Sequence, residues 1–420
     1  MAARVRRIHL RMTPPPRRWA ALGLIAAAQI GAMSTWFSAA AVAPALTVAW
    51  GLSAPQIGLL TVGVQVGFVA GALALAVSGA ADVFSTRRVF GVSAVLAACV
   101  NALLLGAHGD LRLAVPARVG LGFVLAGVYP TGMKLMTGWF REGRGFAIGS
   151  LVGALTLGTA LPHLIAGAGA ALPWEAVIVG TSVGALVSAA IVAAFVRTGP
   201  YEAPPARLDL GWALRSLRPR ALRLANFGYL GHMWELYSMW TWVPVFLLAS
   251  LRAASGGADP DGTARAAHLS AAAVIGAGAA GCVAAGWVAD RAGRTLTTAG
   301  AMALSGASAI ATGALFGRAP ALVLAAAVVW GVTVIADSAQ FSASISELAD
   351  PERVGSALAL QTSLGFLLTA VSIQLLPFVE HGIGWPGAFA LLAAGPLFGV
   401  ASMLRLRAMP ESLRLAGGRR

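Results

Sequence analysis

The sequence predicts an all-α membrane protein made of two homologous halves, and three observations support this prediction. First, the 420 residues are 58% hydrophobic and only 11% charged, with a mean hydropathy of +0.78, whereas soluble domains contain roughly 25% charged residues. Second, the apolar residues form twelve runs that are long enough to cross a bilayer. Third, a charged hairpin segment recurs 208 residues further along the chain.

A helix needs about 20 apolar residues to cross the hydrocarbon core. The predicted spans, numbered 1 to 12, lie near residues 20–46, 54–79, 88–107, 113–139, 144–170, 174–196, 222–250, 267–289, 296–316, 320–345, 354–378 and 385–404. The arginines before the first run resemble the start of a signal peptide. That run is about 27 residues long, which exceeds the apolar core of a signal peptide, so we expect a retained first helix.

The recurring hairpin is the most specific local pattern. Its second copy reads Gly286-Trp-Val-Ala-Asp290-Arg291-Ala-Gly293-Arg294, and its first copy reads Ser78-Gly-Ala-Ala-Asp82-Val-Phe-Ser-Thr-Arg87-Arg88. Such a segment suits a tight turn outside the membrane, because glycines permit the turn and an aspartate stabilises a neighbouring helix N-terminus. We therefore expect both copies to connect the second and third spans of a half.

A second repeat supports the duplication and places its boundary. Arg144-Gly145 opens span 5 and Arg353-Val-Gly355 opens span 11, 209 residues later. Between the halves lies a basic segment broken by prolines, as expected of a linker. The predicted domains are a first half at 1–196, a cytoplasmic linker at 197–221 and a second half at 222–420.

The hairpin resembles the signature of the major facilitator superfamily, Gly-x-Leu-Ala-Asp-Arg-x-Gly-Arg-Arg. The first copy departs from it, with Ser78, Val83 and Ser85 where the family has Gly, Arg and Gly. The resemblance implies two pseudo-symmetric six-helix bundles around a central cavity, which spans 1, 4, 7 and 10 would line. It also implies that the hairpins latch the outward-open state through Asp82, Arg87, Arg88, Gly286, Asp290, Arg291, Gly293 and Arg294.

The net charge of +14 follows membrane topology. If the N-terminus is cytoplasmic, 24 of the 30 Lys and Arg residues fall in cytoplasmic segments and four in outer loops. This positive-inside bias predicts that both termini are cytoplasmic and that basic loops meet anionic lipid, not nucleic acid. One lysine against 29 arginines fits a GC-rich bacterial genome. We expect a multi-pass inner-membrane monomer.

Ionisable residues at membrane depth are costly and are functional candidates. Arg118 lies in span 4 in Arg118-Val-Gly-Leu-Gly122, which is similar to a family pattern associated with proton coupling. The alternative is an arginine that reaches back to the surface. In span 7, His232 and Glu235 are spaced i, i+3 on one helix face. They could share a proton, meet a charged substrate, or form a structural pair.

Other polar and aromatic residues within spans 1, 7, 10 and 11 complete the predicted substrate and proton pathway. Asp337 is the second buried carboxyl, and Trp234 and Tyr237 are expected to contact substrate. The remaining candidates are Gln340, a hydrogen-bonding group at depth in span 10, and Gln29 and Gln361, which could equally form hydrogen bonds between helices.

These residues predict a proton-coupled carrier of a small, anionic organic solute. Arg118 or His232 would bind the anion, and Glu235 or Asp337 would carry the proton. A proton-antiport exporter of drugs or metabolites and a transport-inactive membrane sensor remain alternatives. Nitrate is disfavoured, because the family's nitrate carriers have an arginine in each of spans 2 and 8 and this chain has none there. We find no pattern typical of an enzyme, metal site or cofactor.

Overall fold

The computed structural model describes residues 17–78, 84–140, 144–168, 172–201, 210–256 and 258–420. Helices make up nearly all of these residues, and no strand occurs among them. The helices before the predicted linker are Arg18–Met33, Ser38–Ala41, Ala43–Trp50, Ala54–Ser78, Thr86–Ala102, Leu111–Leu125, Tyr129–Thr137, Arg144–Ala168 and Trp174–Ala194. The later helices are Leu210–Arg215, Arg220–Ser255, Pro260–Ala292, Arg294–Ala314, Pro320–Val334, Ser338–Leu348 and Val354–Arg407.

Three short 3-10 segments complete the described elements: Leu103–Gly106, Pro351–Arg353 and Pro410–Gly418.

The helices account for the twelve predicted spans. In the described ranges, eight are long and apolar enough to cross a membrane by length and composition. One of these, Pro351–Arg407, joins spans 11 and 12 and breaks at Gly384, whose φ is 71°. The three predicted spans that are not among these eight helices are spans 1, 7 and 9. Arg18–Met33 is short, and Arg220–Ser255 and Arg294–Ala314 contain many polar side chains.

Three spans are interrupted inside the membrane, which the hydropathy pattern did not predict. Span 1 breaks at 34–37, span 4 at 126–128 and span 10 at 335–337. The breaks in spans 4 and 10 lie at equivalent places in the two halves. Each break frees backbone groups from the helical ladder, and in hydrocarbon these groups need partners from the protein itself.

Glycines allow the helices of each half to pack closely. A Cβ at Gly67 or Gly71 in span 2 would overlap carbonyl oxygens of span 4, and one at Gly122 in span 4 would overlap the Val64 carbonyl of span 2. The same arrangement joins spans 8 and 10 through Gly281 and Gly331. Small residues at helix contacts are typical of membrane bundles.

Spans 5 and 8 form a close contact between the halves. A Cβ at Gly149 would lie 3.3 Å from the Cys282 carbonyl, and one at Gly153 would lie 3.4 Å from the Ala279 carbonyl. Spans 2 and 11 also meet, and Gln374 Nε2 donates to the Pro55 carbonyl at 3.4 Å. We call the end of the bundle that carries Arg87, Arg294 and Arg353 the basic end, and the Gln374 contact lies at the opposite end.

Close packing at Gly122 can be tested against Gly91, where an added Cβ would meet nothing within 4 Å. Gly122→Ala forces the backbones of spans 2 and 4 apart, which costs about 1–3 kcal/mol. Gly91→Ala gains up to about 1 kcal/mol from helix propensity. Thermal unfolding in detergent should show a lower midpoint for Gly122→Ala and an equal or higher midpoint for Gly91→Ala. Equal midpoints for the two variants would contradict the close contact.

Candidate functional site

A cavity of about 400 Å³ lies between the two halves. At its inner end four rings form what we call the aromatic roof: Trp36, Phe68, Tyr237 and Phe366. Their contacting ring centroids are 4.8 to 6.0 Å apart. Behind them, Phe37 stacks on Tyr237 and Trp240 meets Tyr237 edge to face. The roof is buried, whereas the lining near the basic end is partly exposed. The cavity therefore opens toward the basic end.

The lining of this cavity is apolar and aromatic. Among the described residues that line it, none is an Asp, Glu, Lys, Arg or His. Its polar groups are the hydroxyls of three tyrosines, two serines of span 10, Thr362 and Ser363, and the indole N–H of Trp36. Of the nine residues predicted for the substrate and proton pathway, Tyr237 alone belongs to this lining. The predicted ionisable residues lie behind the wall, between helices.

Arg118 is 1% exposed in span 4, and protein acceptors surround its guanidinium. It donates to the backbone carbonyls of Leu60, Thr35 and Trp36 and to the side chains of Ser38 and Asn101. Thr35 and Trp36 belong to the break in span 1. Arg118 thus supplies hydrogen bonds that the broken helix lacks, and the structure does not place it where a substrate anion in the cavity would meet it.

Asn101 in span 3 extends this network. Its Oδ1 accepts from Arg118 and from Ser38 Oγ at 2.8 Å, and its Nδ2 lies within 3.2 Å of three acceptors on span 6. Polar groups in hydrocarbon are costly unless they are paired. The Arg118 cluster therefore ties the first, second, third, fourth and sixth spans into one unit.

His232 and Asp337 form the second buried polar cluster. Nδ1 of His232 lies 2.8 Å from Oδ1 of Asp337, and both side chains are 1% exposed. Asp337 immediately precedes the helix Ser338–Leu348 at the break in span 10. The positive end of that helix dipole favours a carboxylate there. His232 Nε2 has no partner among the described residues, and the neighbouring Tyr229, Met233 and Ser338 line the cavity.

Glu235 does not pair with His232, although their spacing suggested it. Its Oε1 accepts from Trp330 Nε1 at 2.7 Å, and its Oε2 accepts from Ser305 Oγ at 2.8 Å. These partners belong to spans 10 and 9. Glu235 therefore joins span 7 to its neighbours, while His232 faces the break in span 10.

The four remaining pathway candidates are not among the described residues that line the cavity. Trp234 donates to the Leu391 carbonyl of span 12 at 3.1 Å, and Gln340 accepts from Arg294 at 2.7 Å. Gln29 and Gln361 are buried, and their amide atoms have no partner among the described residues. Gln29 lies against Gly132 of span 4. None of these four residues would contact a solute in the cavity.

Three residues with clear structural roles were not expected from the sequence. Trp36 and Asn101 lack charge, so a search for ionisable groups at depth passes over them. His163 in span 5 is fully buried with neither ring nitrogen partnered among the described residues, and its ring centroid is 6.5 Å from that of His268. A histidine inside a predicted span is a signal that the same search could have used.

A family model described as Major Facilitator Superfamily matches residues 24–373. The chain belongs to the major facilitator superfamily. Membership makes this protein a transporter rather than an enzyme, and it confirms the predicted all-α fold with two six-helix bundles around a central cavity.

Solved superfamily structures share the fold over nearly the whole chain. A bacterial homologue of the human lysosomal transporter Spinster, inward-facing and unoccupied, has a TM-score of 0.68 at 15% identity and covers 94% of this chain and 99% of its own. The nucleoside transporter NupG gives 0.69 at 14%, covering 93% and 99%. The proton:xylose symporter XylE gives 0.66 at 14%, covering 92% and 96%. No protein in the comparison with curated sequences matches.

The superfamily hairpin is well formed in its second copy. Gly293 has a φ of 91°, a conformation that glycine adopts without strain. A Cβ at Gly145 would lie 3.5 Å from Asp290 Oδ2, so this carboxylate lies beside the first turn of span 5. A Cβ at Gly286 would lie 3.8 Å from the Gly145 carbonyl. Asp290 thus joins the second half to the first at the basic end.

The hairpin arginines divide into two groups. Arg294 forms hydrogen bonds of 2.7 to 3.0 Å with Glu347 and contacts Asp290 only at 4.0 Å. Arg291 instead lies 3.7 Å over the Trp287 ring on its own helix. In the first copy, Asp82 lies outside the described residues, Arg87 donates to the carbonyls of Val192 and Ala193, and Arg88 is exposed.

The role of these hairpins in latching the outward-open state stays a prediction. The Asp290 contact with span 5 is formed while the cavity opens toward that same end. Partly exposed residues of the cavity wall lie on spans 2, 4, 10 and 11, whereas Asp290 lies beside span 5. This contact alone therefore does not close the basic end.

The role of Arg118 can be tested by comparison with Arg112, whose side chain is 92% exposed. Arg118→Gln removes the guanidinium donor to the Trp36 carbonyl and one of several donors to the Thr35 carbonyl, and an unpaired buried acceptor costs about 1–3 kcal/mol. We expect a sharp loss of folded protein and a lower thermal midpoint in detergent, whereas Arg112→Gln should resemble the wild type. Normal stability of Arg118→Gln would contradict a structural role.

Proposed function

We propose that this chain is a proton-coupled secondary transporter that moves a small organic solute by alternating access, with the His232–Asp337 pair as its proton site. The observation that carries the proposal is this buried pair, whose atoms approach to 2.8 Å behind the cavity wall. Two titratable groups at this depth are expensive to bury, and in membrane proteins such groups mark proton and ion pathways.

The position of the pair supports a link between protonation and conformation. His232 belongs to the continuous span 7, and Asp337 lies at the break in span 10. A proton on Asp337 removes the negative charge that attracts His232 and the helix dipole. Spans 7 and 10 are then free to rearrange, and both contribute to the cavity lining. Protonation would in this way shift the balance between two cavity states.

Glu235 is the weaker candidate for the coupling proton. Two protein donors, Trp330 Nε1 and Ser305 Oγ, already hold its carboxyl group, and neither residue is among those that line the cavity. For Glu235 to release and rebind the coupling proton, both hydrogen bonds would have to break, and a solute in the cavity could not replace them. We assign it to the packing of spans 7, 9 and 10.

The proposed orientation places the basic end in the cytoplasm. The arginine bias supports this, because Lys and Arg residues remain on the cytoplasmic side. The cavity would then be open inward in a bacterial inner membrane, with both termini cytoplasmic. The proposed domain boundaries are those of the sequence: halves at 1–196 and 222–420, joined by the linker 197–221.

The cavity does not favour the anionic solute expected from the sequence. Arg118 is engaged by the span 1 break and His232 by Asp337, and no cationic side chain is among the described lining residues. Proton-antiport export of a drug or metabolite is the second candidate function. The apolar, aromatic lining supports it, because exported drugs are commonly bound through burial of apolar surface.

Transport assays with matched carboxyl-to-amide variants test the proton site. Membrane vesicles of both orientations receive a panel of neutral and anionic organic solutes under an imposed pH gradient. Asp337→Asn keeps the shape of the side chain but cannot bind the coupling proton. We expect gradient-driven accumulation to fall to the level of vesicles without the protein, while downhill exchange continues. Glu235→Gln is the control and should retain accumulation.

Accumulation by Asp337→Asn that still follows the pH gradient would refute the proton site. Whether the wild type accumulates solute in right-side-out or in inverted vesicles distinguishes uptake from export.

A further inference from the structure

We infer that the cavity binds an uncharged, ring-containing solute that presents a hydrogen-bond acceptor to the indole N–H of Trp36. This inference rests on the transport function proposed above and names the class of solute. The cavity volume of about 400 Å³ lies within the range of ordinary small-molecule sites.

The shape of the inner end favours a planar ring. Trp36, Phe68, Tyr237 and Phe366 lie edge to face or tilted against one another, and all four are at most 5% exposed. Flat apolar surface of this kind is buried best by another ring, which stacks on one face and is met edge-on by others. A strongly hydrated solute such as a sugar would lose many hydrogen bonds to water here, because few polar groups face it.

The absence of charged side chains among the described lining residues favours an uncharged solute. None of the described lining residues carries a formal charge. An anion would leave water without a cationic partner, and a desolvated ion carries a penalty large enough to prevent useful binding. A cation would gain from a desolvated aromatic face only part of the free energy needed to desolvate an ion, and no carboxylate is among the described lining residues to supply the rest. A neutral solute avoids both costs.

Trp36 supplies the specific polar contact. Its side chain is 2% exposed, and its Nε1 meets no acceptor among the described residues. An indole N–H can only donate, and a buried donor without a partner is unfavourable. Trp36 lines the cavity while its Nε1 is itself buried, so a small rotation of the side chain would bring this group to a carbonyl, ether or hydroxyl oxygen of the solute. The hydrogen bond from Arg118 to the Trp36 carbonyl fixes the backbone that presents the indole.

Equilibrium binding to the purified full-length protein in detergent tests the inference, with empty micelles as the blank. The probes are 2-naphthamide, which is neutral and has an acceptor, 2-naphthoate, which is its anionic counterpart, and 2-ethylnaphthalene, which is neutral without an acceptor. We expect 2-naphthamide to bind, and 2-naphthoate to bind about a hundredfold more weakly because its charge must be desolvated.

Trp36→Phe keeps a ring but removes the N–H. It should weaken 2-naphthamide binding by about three- to tenfold, the effect of one neutral hydrogen bond, and leave 2-ethylnaphthalene binding unchanged. Equal or tighter binding of 2-naphthoate, absence of 2-naphthamide binding, or an unchanged 2-naphthamide affinity in Trp36→Phe would each overturn the inference.

The same titration with Asp337→Asn separates this inference from the proposed function. No proton gradient is present, so this variant should bind 2-naphthamide as the wild type does. Normal selectivity in binding, together with gradient-driven transport by Asp337→Asn in vesicles, would refute the proton site and leave the solute class intact. Proton-coupled transport by the wild type without selectivity for the neutral probe would refute the solute class and leave the proton site intact.

Discussion

Every backbone group released by a helix break inside the hydrocarbon must find a partner within the protein, and this constraint organises the structure. The break in span 1 finds its partner in Arg118, which reaches from span 4 to the carbonyls of Thr35 and Trp36. Because Trp36 is also a member of the aromatic roof, one buried cation both repairs the helix and fixes the inner end of the cavity. The apolar cavity wall and the buried polar cluster are therefore structurally linked through Trp36.

The two halves place different chemistry at their helix breaks. The first half uses an arginine, which keeps its proton under ordinary conditions and so serves as a permanent brace. The second half places Asp337 at the N-terminus of a half-helix and sets His232 against it. Both of these groups can gain or lose a proton. This difference supports our proposal that conformational coupling belongs to the second half, while the first half mainly holds the roof in place.

Local patterns predicted the spans and the family, because hydropathy and the Asp290 hairpin are each contained in a few consecutive residues. Contacts between side chains of different helices could not be predicted from such local patterns. The i, i+3 spacing placed His232 and Glu235 on one face, yet the first meets Asp337 and the second meets Trp330 and Ser305. Depth and the family pattern identified Arg118, but its partners lie at a break in an apolar segment whose hydropathy predicts a continuous helix. Charge at depth therefore located the polar clusters and missed the uncharged cavity wall beside them.

The protonation state of Asp337 is the most direct measure of the proposed coupling. Infrared difference spectra of the reconstituted protein, recorded between acidic and alkaline pH, report buried carboxyl groups that gain or lose a proton. Our account predicts a protonated-carboxyl band that appears on acidification, is absent from Asp337→Asn and persists in Glu235→Gln. A band that persists in Asp337→Asn and disappears in Glu235→Gln would contradict the account and move the coupling proton to Glu235.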